Sequence, residues 1–284
     1  MLKNQIKTIL LLGILTALFL VIGALIGGKI GLFIGLIFAF GTNFFSYWWS
    51  HKIVLRIYKA IEADKSKYSN LYSLVREITL YSKIPMPKVY IINTPQSNAF
   101  ATGRNPKHAV VAVTTGLLDI LNKDELKGVL AHEIAHIKNR DILISSVAAT
   151  IAGIISYLAM MARFGAIFGG LGGRDRDNNI IELLALAIVA PIMAVIIQLA
   201  ISRSREYLAD ETGAKLVRNP FSLASALEKI HKNVDHNSFK RMGSTDATAH
   251  MFIHSPFRGK AFLNMFSTHP PVEERIKRLK HLKV

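Results

Sequence analysis

Four apolar runs limit what this chain can become. They lie at about Thr8 to Ile26, Ile30 to Trp49, Ile142 to Ala162 and Ile180 to Ile201. Each is long enough to carry an α-helix across roughly 30 Å of hydrocarbon, which takes about 20 residues. A segment in lipid must satisfy its own backbone hydrogen bonds, so helix is the form these runs can take. Composition agrees: 51% of the residues are hydrophobic, and the mean hydropathy is +0.32. Gly27-Gly28-Lys29 separates the first two runs. One straight helix over both would reach about 63 Å at 1.5 Å per residue, twice the bilayer core. A tight hairpin is therefore expected. The first run is too long for a signal peptide, and no small-residue cleavage site follows it. Tyr47, Trp48 and Trp49 close the second run as an aromatic belt.

The runs partition the chain into a transmembrane hairpin over 1–50, a water-soluble part over 51–141, a second hairpin over 142–201 and a second soluble part over 202–284. The first soluble part opens with a polar helix, roughly Ser66 to Lys83, stopped by Pro85 and Pro87. Val89 to Ile92 and Ala109 to Val113 read as strands, with the short apolar stretch Ser97 to Gly103 between them. These predict a small antiparallel sheet. Its edge either pairs with an extended peptide by strand addition or closes as a plain hairpin.

The chemistry begins at His132-Glu133-Ile134-Ala135-His136. Asn122 and Glu125 form a capping box, and Leu126, Val129, Leu130, Ile134 and Ile137 recur at helical spacing. On that helix His132 and His136 sit one turn apart on one face, where both can offer a ring nitrogen to one metal ion. Glu133 is rotated about 100° from His132, so its carboxylate reaches a water on the metal without binding it. There is no cysteine, so a zinc site must use histidine and carboxylate. Glu206 is the candidate third ligand. The two histidines precede the third run and Glu206 follows the fourth, so two crossings bring them to the same side within about 9 Å of helix. Asp210, one turn beyond Glu206, can accept a hydrogen bond from the other nitrogen of a ligating histidine.

The net charge of +16 would suit nucleic acid in a soluble protein, but no nucleic-acid motif accompanies it. Basic residues flanking lipid-facing helices explain it instead. Of the 35 Lys and Arg, only Lys29, Arg163, Arg174 and Arg176 lie in or beside the two short connections. The bias places both termini and the metal site in the cytoplasm.

Together with the His-Glu-x-x-His helix, Ser202-Arg203-Ser204-Arg205-Glu206-Tyr207-Leu208-Ala209-Asp210 and Ser267-Thr268-His269-Pro270-Pro271-Val272-Glu273-Glu274-Arg275 resemble the HtpX family of membrane-embedded heat-shock zinc proteases. The CaaX prenyl-protein proteases are relatives of that family. The resemblance covers nearly the whole chain. It implies a mainly α, four-span integral membrane protein with a cytoplasmic zincin-like α+β catalytic domain. It also implies one zinc ion on His132, His136 and Glu206, Glu133 as catalytic base, His269 at the oxyanion and Arg275 in support. Asn98, Ala99 and Phe100 would be the substrate-pairing strand. The implied substrates are damaged or misfolded membrane proteins, with membrane lipids and other quality-control proteases as partners and no nucleic acid. A zinc-clamped scaffold is the rival from another class, but it has no use for an unligated Glu133 and prefers a closed shell of four ligands. A transporter would need opposed ionisable residues in its spans. Prenyl-peptide processing would need a large intramembrane chamber, which four spans are few to enclose.

Overall fold

The computed structural model describes residues 2–148, 150–151, 203–236 and 270–284. Most of the third and fourth apolar runs, the connection over 163–179 and His269 lie outside the described residues.

The first helix, α1 (Leu2–Ile57), reverses direction at Gly27 and Gly28. Gly28 takes φ +54° with ψ −132°, a backbone conformation that a side chain resists. The two arms then pack backbone against backbone. A Cβ on Gly23 would strike the carbonyl of Gly31, and one on Gly35 the carbonyl of Phe19. Such small residues let apolar helices approach closely where no hydrophobic effect drives them together. Phe19 stacks on Phe38 with ring centroids 6.5 Å apart. Asn43 Nδ2 donates to Thr16 Oγ1 at 2.8 Å, so its amide finds a partner on the opposite arm. Ile30, Phe33, Ile37, Phe40 and Phe44 recur every three or four residues, and all are exposed. A stripe of that size on one helix face fits contact with lipid rather than water. By length and composition Gly27–Ile57 can cross a membrane, and Ile6–Val21 is a shorter apolar helix.

Beyond α1 come β1 (Ile61–Glu62), α2 (Ser69–Ser82), β2 (Lys88–Ile92), β3 (Ala99–Gly103) and β4 (Ala109–Thr114). The strands form one sheet in the order β1-β2-β4-β3. This corrects the expected antiparallel sheet: it is mixed. The pairs β1–β2 and β3–β4 are antiparallel, while β2 and β4 run parallel, with Val89 opposite Val111. The physical reason lies in β4. It is buried at all six positions, because both faces are covered. Such a strand takes a central place and has no polar face to mark its neighbours. The connection from β2 therefore passes over β4, and β3 returns on its far side.

One face of the sheet packs Val89, Ile91, Val111 and Val113 against Leu74 and Ile78 of α2 and against Val129, Ile134 and Ile137 of the next long helix. The other face sets Ile92, Phe100, Val110 and Ala112 against Val54 and Leu55 at the end of α1. The first arm of α1 packs Leu11, Leu15 and Leu18 on Val147, Ala148 and Ile151. Among the described residues, the further α-helices that frame the site are α3 (Thr115–Ile120), α4 (Lys123–Asn139), α5 (Arg203–Val217), α6 (Pro220–His236) and α7 (Val272–Lys280).

Candidate metal centre

Helix α4 carries the two histidines, and both of its ends are fixed by local sequence. At its start Asn122 Oδ1 accepts from the Glu125 N–H at 2.9 Å, and Glu125 Oε2 accepts from the Asn122 N–H at 2.9 Å. This is the capping box read from the sequence. At its end Arg140 adopts the left-handed conformation, with φ 58°. The reversal folds Asp141 back onto the last turn.

Helix α5 crosses α4 at Gly213. A Cβ there would lie 2.9 Å from the His132 backbone nitrogen and 3.0 Å from the Ala131 carbonyl carbon. Because glycine permits this approach, Glu206 and Asp210 on the same face of α5 reach the histidines one helix away. Gly128 serves α6 in the same way: a Cβ would sit 2.7 Å from the Leu223 nitrogen.

Three side chains converge. His132 Nε2 and His136 Nε2 are 3.2 Å apart. Glu206 Oε2 lies 3.7 Å from His132 Nε2, and Glu206 Oε1 lies 3.6 Å from His136 Nε2. The donor atoms fall within 4.8 Å of one another and could hold a metal ion. Bonds of about 2.0–2.1 Å in a tetrahedral shell place neighbouring donors roughly 3.4 Å apart. The separations observed are close to that, so the donor set fits one zinc-sized ion.

The outer nitrogen of each histidine is also held. His132 Nδ1 lies 2.9 Å from Asp210 Oδ1, and His136 Nδ1 lies 3.0 Å from Asp141 Oδ2. Each carboxylate fixes the tautomer that turns Nε2 inward. Arg275 on α7 completes the arrangement. Its Nε donates to Asp210 Oδ2 at 2.9 Å and its Nη2 to Asp210 Oδ1 at 2.7 Å. Its Nη1 stands 3.7 Å from Glu206 Oε2. Glu133 is buried beside the cluster, and its Oε2 accepts the Ala101 N–H of β3 at 2.8 Å.

Burial dominates the electrostatics. It pushes the Glu133 carboxyl up to about 8, with Glu206 adding to the rise and His136, the Ala101 N–H and Arg275 opposing it. Burial drives His132 down, against the pull of Asp210. At His136 burial acts in the same direction, but Asp141, Glu206 and Glu133 outweigh it and raise the imidazole to about 10. Burial would raise Asp210, yet Arg275 and His132 hold it below the ordinary carboxylate range. A divalent cation on the three donors would replace the proton as the charge that this acidic cage neutralises.

His132, His136, Glu206, Glu133, Asp210 and Arg275 are thus brought together. His269 is outside the described residues. Asn98 is buried, and its backbone pairs with Thr114: the Asn98 N–H donates to Thr114 Oγ1 at 2.9 Å, and its carbonyl accepts the Thr114 N–H at 3.0 Å. By the alternation of an antiparallel pair, Ala99 and Ala101 then turn their backbone groups to the outer edge of β3. Phe100 does not face that edge; its ring packs 5.4 Å from Tyr58 on the far side of the sheet. Asp141 is the partner that sequence reasoning missed. The signal available was an Asp five residues after His136, which becomes informative only once the left-handed turn at Arg140 is known.

The sequence profile of peptidase family M48 matches residues 65–283. A "Protease HtpX homolog" from Desulfatibacillum aliphaticivorans is 54% identical over 278 residues, covering 97% of this chain and 89% of that protein. A protein of the same name from Persephonella marina is 54% identical over 280 residues, covering 97% of this chain and 96% of that protein. Among solved structures, the crystal structure of S. mikatae Ste24p aligns with a TM-score of 0.53 and 18% identity, over 99% of this chain and 66% of that chain. At that identity the likeness speaks for the fold alone.

Proposed function

The chain belongs to peptidase family M48, and on that premise we propose that it hydrolyses peptide bonds at a zinc ion held by His132, His136 and Glu206, with Glu133 as general base. It is a membrane metalloprotease. The observation that carries the assignment of residues is the near-tetrahedral spacing of the three donors, with an unligated buried carboxylate beside them.

Zinc at those donors supplies a Lewis acid that lowers the pKa of a water and polarises a carbonyl. The chain's own residues do the rest. Glu133 takes the proton of the attacking water and later delivers it to the leaving nitrogen. Burial raises the Glu133 carboxyl to about 8, and a zinc ion on the three donors would favour its ionised form by placing positive charge beside it. Asp210 and Asp141 keep both imidazoles in the ligating tautomer. Arg275 balances the charge of Asp210. The outer edge of β3, at Ala99 and at the Ala101 carbonyl, holds the substrate backbone as an added strand, beside the Ala101 N–H that Glu133 accepts. His269 assists at the oxyanion, as the family resemblance implies.

We further read the substrates as misfolded or damaged membrane proteins cleaved on the cytoplasmic side of a four-span chain. The positive-charge bias of the span ends and the kinship with proteins named HtpX homologues support this. Prenyl-peptide cleavage is the narrower rival. Activity on a prenylated peptide with none on an unfolded membrane protein would reverse the order.

The test is zinc content and cleavage rate on purified wild type and Glu133→Gln. The variant should keep its zinc and lose about 10²- to 10⁴-fold in rate, the usual worth of a general base. Cleavage at the wild-type rate would remove Glu133 from the reaction. His132→Ala and Glu206→Ala should lose the metal itself.

A further inference from the structure

The turn between β3 and β4 carries two cations, Arg104 and Lys107, and lies against the aromatic end of α1. The Arg104 guanidinium stacks over the Trp48 ring, 4.3 Å from its centroid. Its Nη2 also lies 3.0 Å from His108 Nε2. A guanidinium can only donate, so His108 Nε2 accepts. The proton of that imidazole then sits on Nδ1, which donates to Asn105 Oδ1 at 2.9 Å. Arg104 is thus fixed in place by an aromatic face and a neutral acceptor. Among the described residues no carboxylate pairs with it. Lys107 is exposed on the same turn. Lys52 and Arg104 are the cations close enough to act on His51, just past the belt.

The position of this cluster follows from the packing. Tyr58, just past the end of α1, meets Phe100 of β3, and Trp48 of α1 meets Arg104, just past the end of β3. Ten helical residues cover about 15 Å and four strand residues about 13 Å, so the two segments run side by side for that length. Strand β3 therefore points back along α1 toward the apolar arm, and its turn stops level with Tyr47, Trp48 and Trp49. Trp and Tyr settle at the headgroup layer of a bilayer. A planar guanidinium held there, with further cations and no acidic partner, matches the bidentate geometry of a phosphate diester.

We infer that Arg104, with Lys52, Lys107 and the Trp48 ring, forms a binding site for the headgroup of an anionic phospholipid, and that this site seats the catalytic part on the membrane surface through the β3–β4 turn. The source is committed to lipid rather than free phosphate, because the site adjoins the exposed apolar stripe of α1. It rests on α1 being embedded in lipid, and it does not depend on the protease chemistry.

The chain has two tryptophans, the neighbours Trp48 and Trp49, so tryptophan emission, excited selectively over the eight tyrosines, reports on this end of α1. Full-length protein in a zwitterionic detergent is titrated with dioctanoyl phosphatidylglycerol, dioctanoyl phosphatidylcholine and inorganic phosphate. The anionic lipid should give a saturable change in tryptophan emission; the other two should give none over the same range. Arg104→Gln should weaken the apparent Kd about tenfold, the loss of one charge-assisted fork. Arg104→Lys, which keeps the charge but not the planar fork, should fall between. An unchanged melting temperature shows that both variants are folded, and Lys107→Gln, on the exposed turn, gives a second variant in which affinity must fall. An equal response to phosphatidylcholine, an equal response to phosphate, or wild-type affinity in Arg104→Gln would overturn the site while leaving α1 in the membrane. Release of the protein from vesicles by an alkaline wash would overturn the embedding of α1 as well.

Discussion

Arg275 is wholly buried and remains a cation there because Asp210 takes two of its N–H groups. Removing one member of such a pair leaves the other charge stranded, at a cost of about 3–5 kcal/mol. Arg275→Gln should therefore lower the melting temperature sharply, and Asp210→Asn in the same chain should recover part of the loss; a double variant no more stable than the single would contradict the pairing. Asp141 makes a separate prediction. With Asn in its place the acceptor for His136 Nδ1 weakens, and zinc affinity should fall about 10- to 100-fold in a chelator competition. At this scale much of the site was readable. The four-residue interval of His132 and His136 is a statement about helix geometry alone, and the expected return of the chain to Glu206 rests on reading the third and fourth apolar runs as two crossings. Asp141 was not readable, because its value depends on a left-handed residue at position 140. The orientation of Phe100 toward Tyr58 is not legible for a similar reason: alternation along a strand tells which residues share a face, not which face meets the site.

The helices owe their mutual placement to contacts that pattern analysis does not weigh. Gly213 is one. Alanine there would gain roughly 1 kcal/mol of helix propensity. Its methyl would, however, press on the His132 backbone at 2.9 Å, and overpacking costs about 1–3 kcal/mol. The expected result for Gly213→Ala is lower zinc occupancy, as α5 carries Glu206 away from α4. Full zinc content in that variant would show that the crossing can relax. Glu125 is another such contact. Beyond the cap of α4 it accepts from Ser225 Oγ at 2.7 Å and Lys229 Nζ at 2.8 Å, so one carboxylate ties α4 to α6. Burial works to raise its pKa, but Lys229, Ser225 and the Asn122 N–H outweigh this and hold it below the usual value. A depressed carboxyl contributes stability that is present above the unfolded pKa, about 4.3, and lost as pH falls through the folded one. Glu125→Gln should be less stable than wild type at pH 6, and the gap should close as the pH is lowered past 4. A gap that does not change with pH would remove the charge from the explanation. The order of strands shows where sequence runs out. Ala109-Val110-Val111-Ala112-Val113 announces a buried strand, yet an uninterrupted apolar run carries no information on which strands flank it.

In the whole molecule the candidate metal ligands come from helices far apart in the chain, α4 and α5, with the third and fourth apolar runs between them. A cation that binds only the assembled triangle stabilises the fold by mass action, about 2.7 kcal/mol at a free concentration 100 times its Kd. Chelation should lower the melting temperature of the wild type, and added zinc should restore it. Glu206→Ala should melt at one temperature with or without chelator; a retained response there would point to a second ligand set.

The reversal at Gly27 and Gly28 has its own consequence for traffic through the bilayer. The carbonyls of Gly31 and Phe19 touch the opposite arm directly, so at those levels the two arms leave no room for a polypeptide between them. If the proposed substrates come sideways out of the lipid to the outer edge of β3, they are expected to go around the α1 pair at those levels rather than between its arms.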